Sequence, residues 1–145
     1  MSKGATDFLT FVLAGQMFGV SVLQVNDVLA PQKITRTPLS PSSVAGIMNL
    51  RGRIVTAIDV RDCLGQEPRG SNNPGMSVVI ERNNELFSLI IDTVGDVLSL
   101  AHDSLEDVPP TLDNAWKSIA SHIHKLEDRL LVILDTEKLM EATKP

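Results

Sequence analysis

Two stretches decide the fold: Arg53-Ile54-Val55-Thr56-Ala57-Ile58-Asp59 and Arg129-Leu130-Leu131-Val132-Ile133-Leu134-Asp135. Each opens on an arginine, runs through apolar residues and closes on an aspartate. A run of that length and composition reads as a buried strand. An aspartate at the end of such a strand is placed to cap a helical turn. The two stretches lie 76 residues apart. Upstream of each is a second matched pair, Val25-Asn26-Asp27-Val28-Leu29 and Val94-Gly95-Asp96-Val97-Leu98, 69 residues apart. Ahead of each of these is a hairpin signal. Phe8–Leu13 faces Met17–Val20 across Ala14-Gly15-Gln16, and Met76–Glu81 faces Leu86–Ile91 across Arg82-Asn83-Asn84-Glu85. The shared order and similar offsets predict two related β-units. A unit of about 70 residues buries too little surface to stand alone, so the two are expected to share an apolar seam. A groove where they meet is the natural place for a ligand or partner.

Shorter signals fill in the rest. Ser21-x-x-Gln24 has capping-box spacing, Leu64-Gly65 ends the turn begun at Asp59, and Thr136–Met140 starts a terminal helix. Pro41 suits the first position of a helical turn through Met48. Residues 66–75 are rich in Gly, Pro, Ser and Asn and read as a loop between the halves.

Composition narrows the function. The 145 residues are 43% hydrophobic and 21% charged, as in ordinary globular chains. A net charge of -5 disfavours binding to a phosphate backbone, and 3% aromatics without tyrosine disfavours base stacking. The single cysteine, Cys63, cannot form an internal disulfide and fits a reducing compartment. The apolar stretch Phe8–Leu23 is interrupted by Thr10, Gly15, Gln16, Gly19 and Ser21, too short and broken for a membrane span. No basic leader with a cleavage site precedes it. The expectation is a cytoplasmic protein without direct membrane insertion.

Signals of chemistry are weak. His122 and His124 alternate and would share a strand face, but a metal site needs three or four ligands, and Cys63 and His102 lie on other segments. Gly70 and Gly75 have the spacing of a phosphate loop, yet Met76-Ser77 stands where Lys-Ser/Thr is required. No nucleophile elbow appears. We therefore expect no catalytic residue, cofactor or metal. Asp92, Asp96, Asp103, Glu106, Asp107 and Asp113 form a run without Lys or Arg; it reads as a solvated face, or alternatively as a steering surface for a basic partner. Arg51, Arg53, Arg61 and Arg69 make the other half more basic, a polarity that suits head-to-tail association.

A family resemblance emerges from these residues together. Asn49-Leu50-Arg51-Gly52-x-Ile54-Val55, continuing to Asp59-x-Arg61 and Leu64-Gly65, resembles the signature stretch of CheW-like coupling domains. Phe18-Gly19-Val20 with Val25-x-Asp27-Val28, Asp92-x-Val94-x-Asp96-Val97-Leu98 and Asp128–Asp135 resemble its other strands, so the likeness runs from about Phe8 to Met140. The resemblance implies an all-β fold with short helices: two pseudo-repeated five-stranded β-barrels of Src-homology type on a shared apolar seam. The first barrel is expected at roughly 15–80, the second at roughly 81–135 plus the N-terminal strand, with a C-terminal helix at 136–143. The implied function is a non-catalytic adaptor that couples chemoreceptor hairpin tips to the regulatory domain of the histidine kinase CheA, with rings of the chain itself as a further assembly. Receptor contact would fall on Val25, Asp27, Arg51, Ile54, Val78 and Val97. Arg51 offers a planar fork to a partner carboxylate, or pairs internally with Asp27; the two are compatible. Asp27 stands where the family often has the longer glutamate, which makes that pairing harder to reach. Glu106 and Thr111 replace a basic and an aromatic residue that some members use in ring contacts.

Three other readings stand beside this one: a CheW-like adaptor of a non-swimming pathway, a small-ligand-binding β-barrel, and a small hydrolase using an aspartate with His122 or His124. An enzyme would gather titratable groups in one pocket, and a ligand barrel would want aromatic lining; here the notable positions are mainly aliphatic.

Overall fold

A computed structural model of the chain describes residues 4–30, 33–36, 44–66, 75–112 and 114–142. Pro31, Pro38, Pro41, Arg69, Gly70 and Asp113 lie outside these residues.

The first hairpin is β1 (Ala5–Leu13) and β2 (Gln16–Ser21). A single 3-10 turn, Val22–Gln24, follows, and Ser21 caps it by accepting from the Leu23 amide. Gln24 does not return the bond as a capping box would; its amide donates to Thr136 Oγ1 at 3.1 Å. Next come β3 (Val25–Leu29), β4 (Val44–Leu50), β5 (Arg53–Asp59) and the short α1 (Val60–Cys63). The second hairpin is β6 (Met76–Arg82) and β7 (Glu85–Ile91), followed by β8 (Thr93–Ala101). The chain closes with α2 (Asn114–Lys117), β9 (Ala120–Lys125), β10 (Leu130–Leu134) and α3 (Thr136–Ala142). The helical turn expected from Pro41 through Met48 is not found over its described residues: 44–48 belong to β4, where Met48 faces inward and Ile47 outward.

Two five-stranded sheets result, in the orders β8-β1-β2-β10-β9 and β3-β6-β7-β5-β4. They are copies of one pattern. In each, an edge strand flanks a hairpin, and the second hairpin strand runs parallel to the arginine-to-aspartate strand. The Val-x-Asp-Val motif encodes a β-bulge in each edge strand: the register slips between Val25 and Asp27 against β6, and between Leu9 and Phe11 against β8. Bulges of this kind twist an edge and discourage unwanted pairing. The closing aspartates do the same work twice. Asp59 accepts from the Arg61 amide at the start of α1, and Asp135 accepts from the Glu137 and Lys138 amides at the start of α3.

The repeats are exchanged in space. The first hairpin joins β8, β9 and β10, while β3 to β7 form the other sheet. A boundary near residue 80 would part β6 from β7, which are paired along their whole length. Among the described residues no ladder joins the two edges of either sheet. In each sheet the segment that follows one edge strand makes an isolated bridge to the other edge strand, Thr35 after β3 with Ile47 of β4 and Glu106 after β8 with Ile123 of β9. Gly46 permits the first bridge: its φ is +150°, and a Cβ there would collide with the Thr35 carbonyl oxygen.

The largest core cluster belongs to both sheets. Phe11, Phe18 and Val20 from one meet Ile58, Val78, Ile80, Leu89 and Ile91 from the other, with Leu139 of α3. Phe11 stacks on Phe18 at 5.6 Å, and Trp116 meets Phe18 edge-on at 6.0 Å. Two smaller clusters are each built from one sheet alone: Phe8, Leu100, Leu131 and Ile133, and Met48, Val55, Val79 and Leu86. The central strands are therefore apolar on both faces, which explains their unbroken apolar runs.

Candidate functional site

The β4–β5 hairpin carries an exposed arginine at its tip. Its two-residue turn, Arg51-Gly52, has φ values of +53° and +85°, the geometry that matches the twist of flanking strands. Glycine adopts it freely, whereas a side-chain-bearing residue pays about 1–2 kcal/mol. Asn49 fastens the turn, its Oδ1 accepting from the Gly52 amide at 2.9 Å. Ala14, Asn83 and Asn84 take the same left-handed conformation at the other two hairpin turns, so what sets Arg51 apart is a long charged side chain left in solvent.

Arg51 extends into solvent with 79% of its side chain exposed and meets Asp27 at 3.5 Å. The pair links β3 to the end of β4, opposite edges of the same sheet, so the curl of the sheet brings them together. Aspartate is long enough, although the contact is loose. Asp27 also accepts from the Val28 amide at 2.9 Å. An ion pair this exposed contributes only a few tenths of a kcal/mol, so Arg51 can exchange Asp27 for another carboxylate at little loss.

Ile54, 63% exposed, stands directly opposite Asn49 on the outer face of the hairpin. With Ile47, Lys33 and Thr35 it lines a shallow hollow. Val25 is half-buried at the seam, packed against the main cluster. Val97 lies on the other sheet, paired with Leu9 and 54% exposed. The structure thus brings Asp27 and Arg51 together at the hairpin that also carries Ile54. Val97 belongs to a separate edge strand.

Val78 requires a correction. It has no exposed surface and sits inside the main cluster, so no partner can reach its side chain. Strand β6 buries Val78, Val79 and Ile80 in succession, and valines on the two faces look alike in sequence.

The acidic run also needs one amendment. Asp92 is not a solvated carboxylate: its side chain is 16% exposed and grips Arg61, itself 19% exposed. Arg61 Nε donates to Oδ1 at 3.1 Å and Nη2 to Oδ2 at 2.9 Å, while the Ala14 amide donates to Oδ2 at 2.9 Å. These three bonds tie α1, the β7–β8 junction and the β1–β2 turn, and so join the sheets at one end of the seam. The bond to Asp92 is the main reason that the Arg61 guanidinium holds its proton more firmly than usual, against an opposing effect of burial. At the other end the fastening is looser, with Arg82 to Glu137 at 3.0 Å, where Glu137 is mostly exposed. The motif Asp59-x-Arg61 contained the signal for this clamp, but nothing in sequence links it to Asp92.

His122 and His124 do share a face of β9, and His124 Nδ1 lies 3.1 Å from the Ser104 carbonyl oxygen. Among the described residues no group of three or more His, Cys, Asp or Glu is placed to hold a metal ion.

Comparison with known proteins agrees with this architecture. A family model described as a CheW-like domain matches residues 7–144. The chain is 25% identical to the chemotaxis protein CheW of Helicobacter pylori, over 92% of this chain and 81% of that protein. It is 27% identical to CheW of Klebsiella aerogenes, over 94% of this chain and 82% of that one. The crystal structure of the scaffolding protein TtCheW from Thermoanaerobacter tengcongensis matches with a TM-score of 0.79 at 29% identity, over 90% of this chain and 88% of that chain. With a family match across almost its whole length and the same two-sheet structure beneath it, the chain belongs to the family of CheW-like domains.

Proposed function

We propose that the chain is a non-catalytic chemotaxis adaptor that joins chemoreceptor hairpin tips to the regulatory domain of the histidine kinase CheA. The observation that carries this reading is Arg51: strained at a hairpin tip, largely exposed, loosely paired, and set beside the exposed Ile54. An apolar surface with an exchangeable charge at its rim suits a helix lying across it. A contact of this modest kind can rearrange, as signalling requires, where a large dry interface would not. The receptor-facing residues are Val25, Asp27, Arg51, Ile54 and Val97, with Arg51 trading Asp27 for a receptor carboxylate or carbonyl. The kinase docks on other faces of the sheets. The adaptor works in the cytoplasm beside the receptors; no helix among the described residues is long and apolar enough to cross a membrane.

The test is co-precipitation of the purified chain with a receptor cytoplasmic fragment and with the kinase regulatory domain. Both should associate at low salt, and Arg51→Ala should weaken the receptor complex alone. Association with neither fragment would remove the reading.

A further inference from the structure

Thr10 is buried in the middle of β1, between a glycine on each neighbouring strand. Strand β2 sets Gly19 opposite it. On the other side it faces Gly95 and Asp96 together: the ladder steps from Phe11–Val94 to Leu9–Val97, one residue of β1 against two of β8. That is a β-bulge. A regular ladder continued from Phe11–Val94 would set Asp96 opposite Leu9. The bulge sets Val97 there instead. Leu9 belongs to the cluster shared by the two sheets, and residues directly opposite share a face. Val97, 54% exposed, therefore stands on the seam side of β8.

Two observations show that this bulge is held in place. The Thr10 hydroxyl donates to the Asp96 carbonyl oxygen at 2.6 Å. That carbonyl shares a peptide plane with the Val97 nitrogen, so the bond fixes the backbone on which Val97 turns. Gly95 keeps the space open, since a Cβ there would stand 2.7 Å from Thr10 Oγ1. Gly95 has no positive φ, so room for the hydroxyl, rather than backbone freedom, calls for glycine. The other unit lacks this lock. At the same offset of 69, Thr10 corresponds to Val79, and Gly95-Asp96 to Asn26-Asp27. The register slips there too, between Val25 and Asp27, without a hydroxyl at the matching position. A bulge thus forms without the threonine, and the bond from Thr10 adds something beyond the bulge itself.

We propose that Thr10 and Gly95 are positioning residues for receptor contact: the buried hydroxyl holds the Asp96–Val97 peptide so that the seam presents the Val97 methyls rather than the Asp96 carboxylate. The inference rests on the adaptor reading and deepens it. Thr10 acts through Val97, because its own side chain is out of reach of any partner.

Titration calorimetry of the full chain tests it, against a soluble receptor cytoplasmic fragment and, separately, against the kinase regulatory domain. Thr10→Val keeps the branched shape and loses the donor. Its receptor affinity should fall about threefold to tenfold with kinase affinity unchanged, and the Val97 methyl NMR signals should shift. Thr10→Ser keeps the donor and should bind the receptor like the parent chain. Gly95→Ala pushes the hydroxyl aside and should reproduce the loss seen in Thr10→Val, which keeps the test open if one variant folds poorly. If Thr10→Val and Gly95→Ala bind the receptor like the parent while Val97→Lys does not, the lock plays no part in recognition and the proposal fails with the adaptor reading intact. If both affinities fall together with the melting temperature, the role is structural only and the proposal fails. If the parent chain binds neither fragment, the adaptor reading falls and takes the proposal with it.

Discussion

Replacing Asp92 with alanine removes the acceptor of three hydrogen bonds at once, two from Arg61 and one from the Ala14 amide. Arg61 is left with its main counter-charge gone while four-fifths covered, and a backbone donor loses its partner. Deleting one member of a fully buried ion pair costs about 3–5 kcal/mol. Here 16% and 19% of the two side chains still reach water, so hydration recovers part of the loss, and about 2–4 kcal/mol is expected. Against a total stability of about 5–15 kcal/mol the variant stays folded, with a melting temperature lower by roughly 6–15 °C. Asp92→Asn keeps an acceptor for Ala14 and should lose less. The assay is urea and thermal unfolding followed by circular dichroism, with Arg61→Ala and the double variant completing a cycle whose coupling should be about 1.5–3 kcal/mol. If Asp92→Ala unfolds within about 0.5 kcal/mol of the parent chain, the clamp does not hold the sheets together and the account of the seam is wrong.

Other outcomes follow from the same geometry. Arg51→Gly should relieve the strained turn, leaving stability unchanged or raised by up to about 1 kcal/mol, while receptor binding falls in a pull-down titration. Ser88 is fully buried and its hydroxyl has no hydrogen-bond partner, so Ser88→Ala should stabilise the chain by about 1 kcal/mol, read from the shift in urea midpoint. Val97→Lys should fold normally and lose receptor contact, whereas Val78→Lys should not give a cooperative melt. Cleavage within residues 67–74 divides the sheet built from β3 to β7 and should leave neither fragment folded; dispersed NMR spectra from one fragment alone would contradict the shared seam.

Much of the fold was readable where local chemistry decides it. Ala14-Gly15 and Asn83-Asn84 take positive φ at both turn positions, so both hairpins expected from the sequence close on two-residue turns. The internal repeat goes deeper than its two obvious motifs. Phe18-Gly19-Val20 and Phe87-Ser88-Leu89, also 69 residues apart, occupy matching positions beside β10 and β5. There the volumes compensate, Gly19 lying against Ile133 and Ser88 against Ala57. What stayed hidden depends on strand order, which no local pattern states. Val78 and Val97 are both strand valines, but β6 is central and β8 is an edge. Asp92 looked like one acid among six until the topology placed Arg61 beside it. The turn expected from Pro41 through Met48 gives way to a strand over residues 44–48, in which Gly46 leaves room for the bridge to Thr35.

The most direct measurement of the central claim is kinase autophosphorylation in membranes containing the receptor, with and without the purified chain. The account predicts that attractant alters kinase activity only when the chain is present, and that Arg51→Ala weakens this control. Equal attractant response in its absence, or none in its presence, would contradict the role as coupling adaptor.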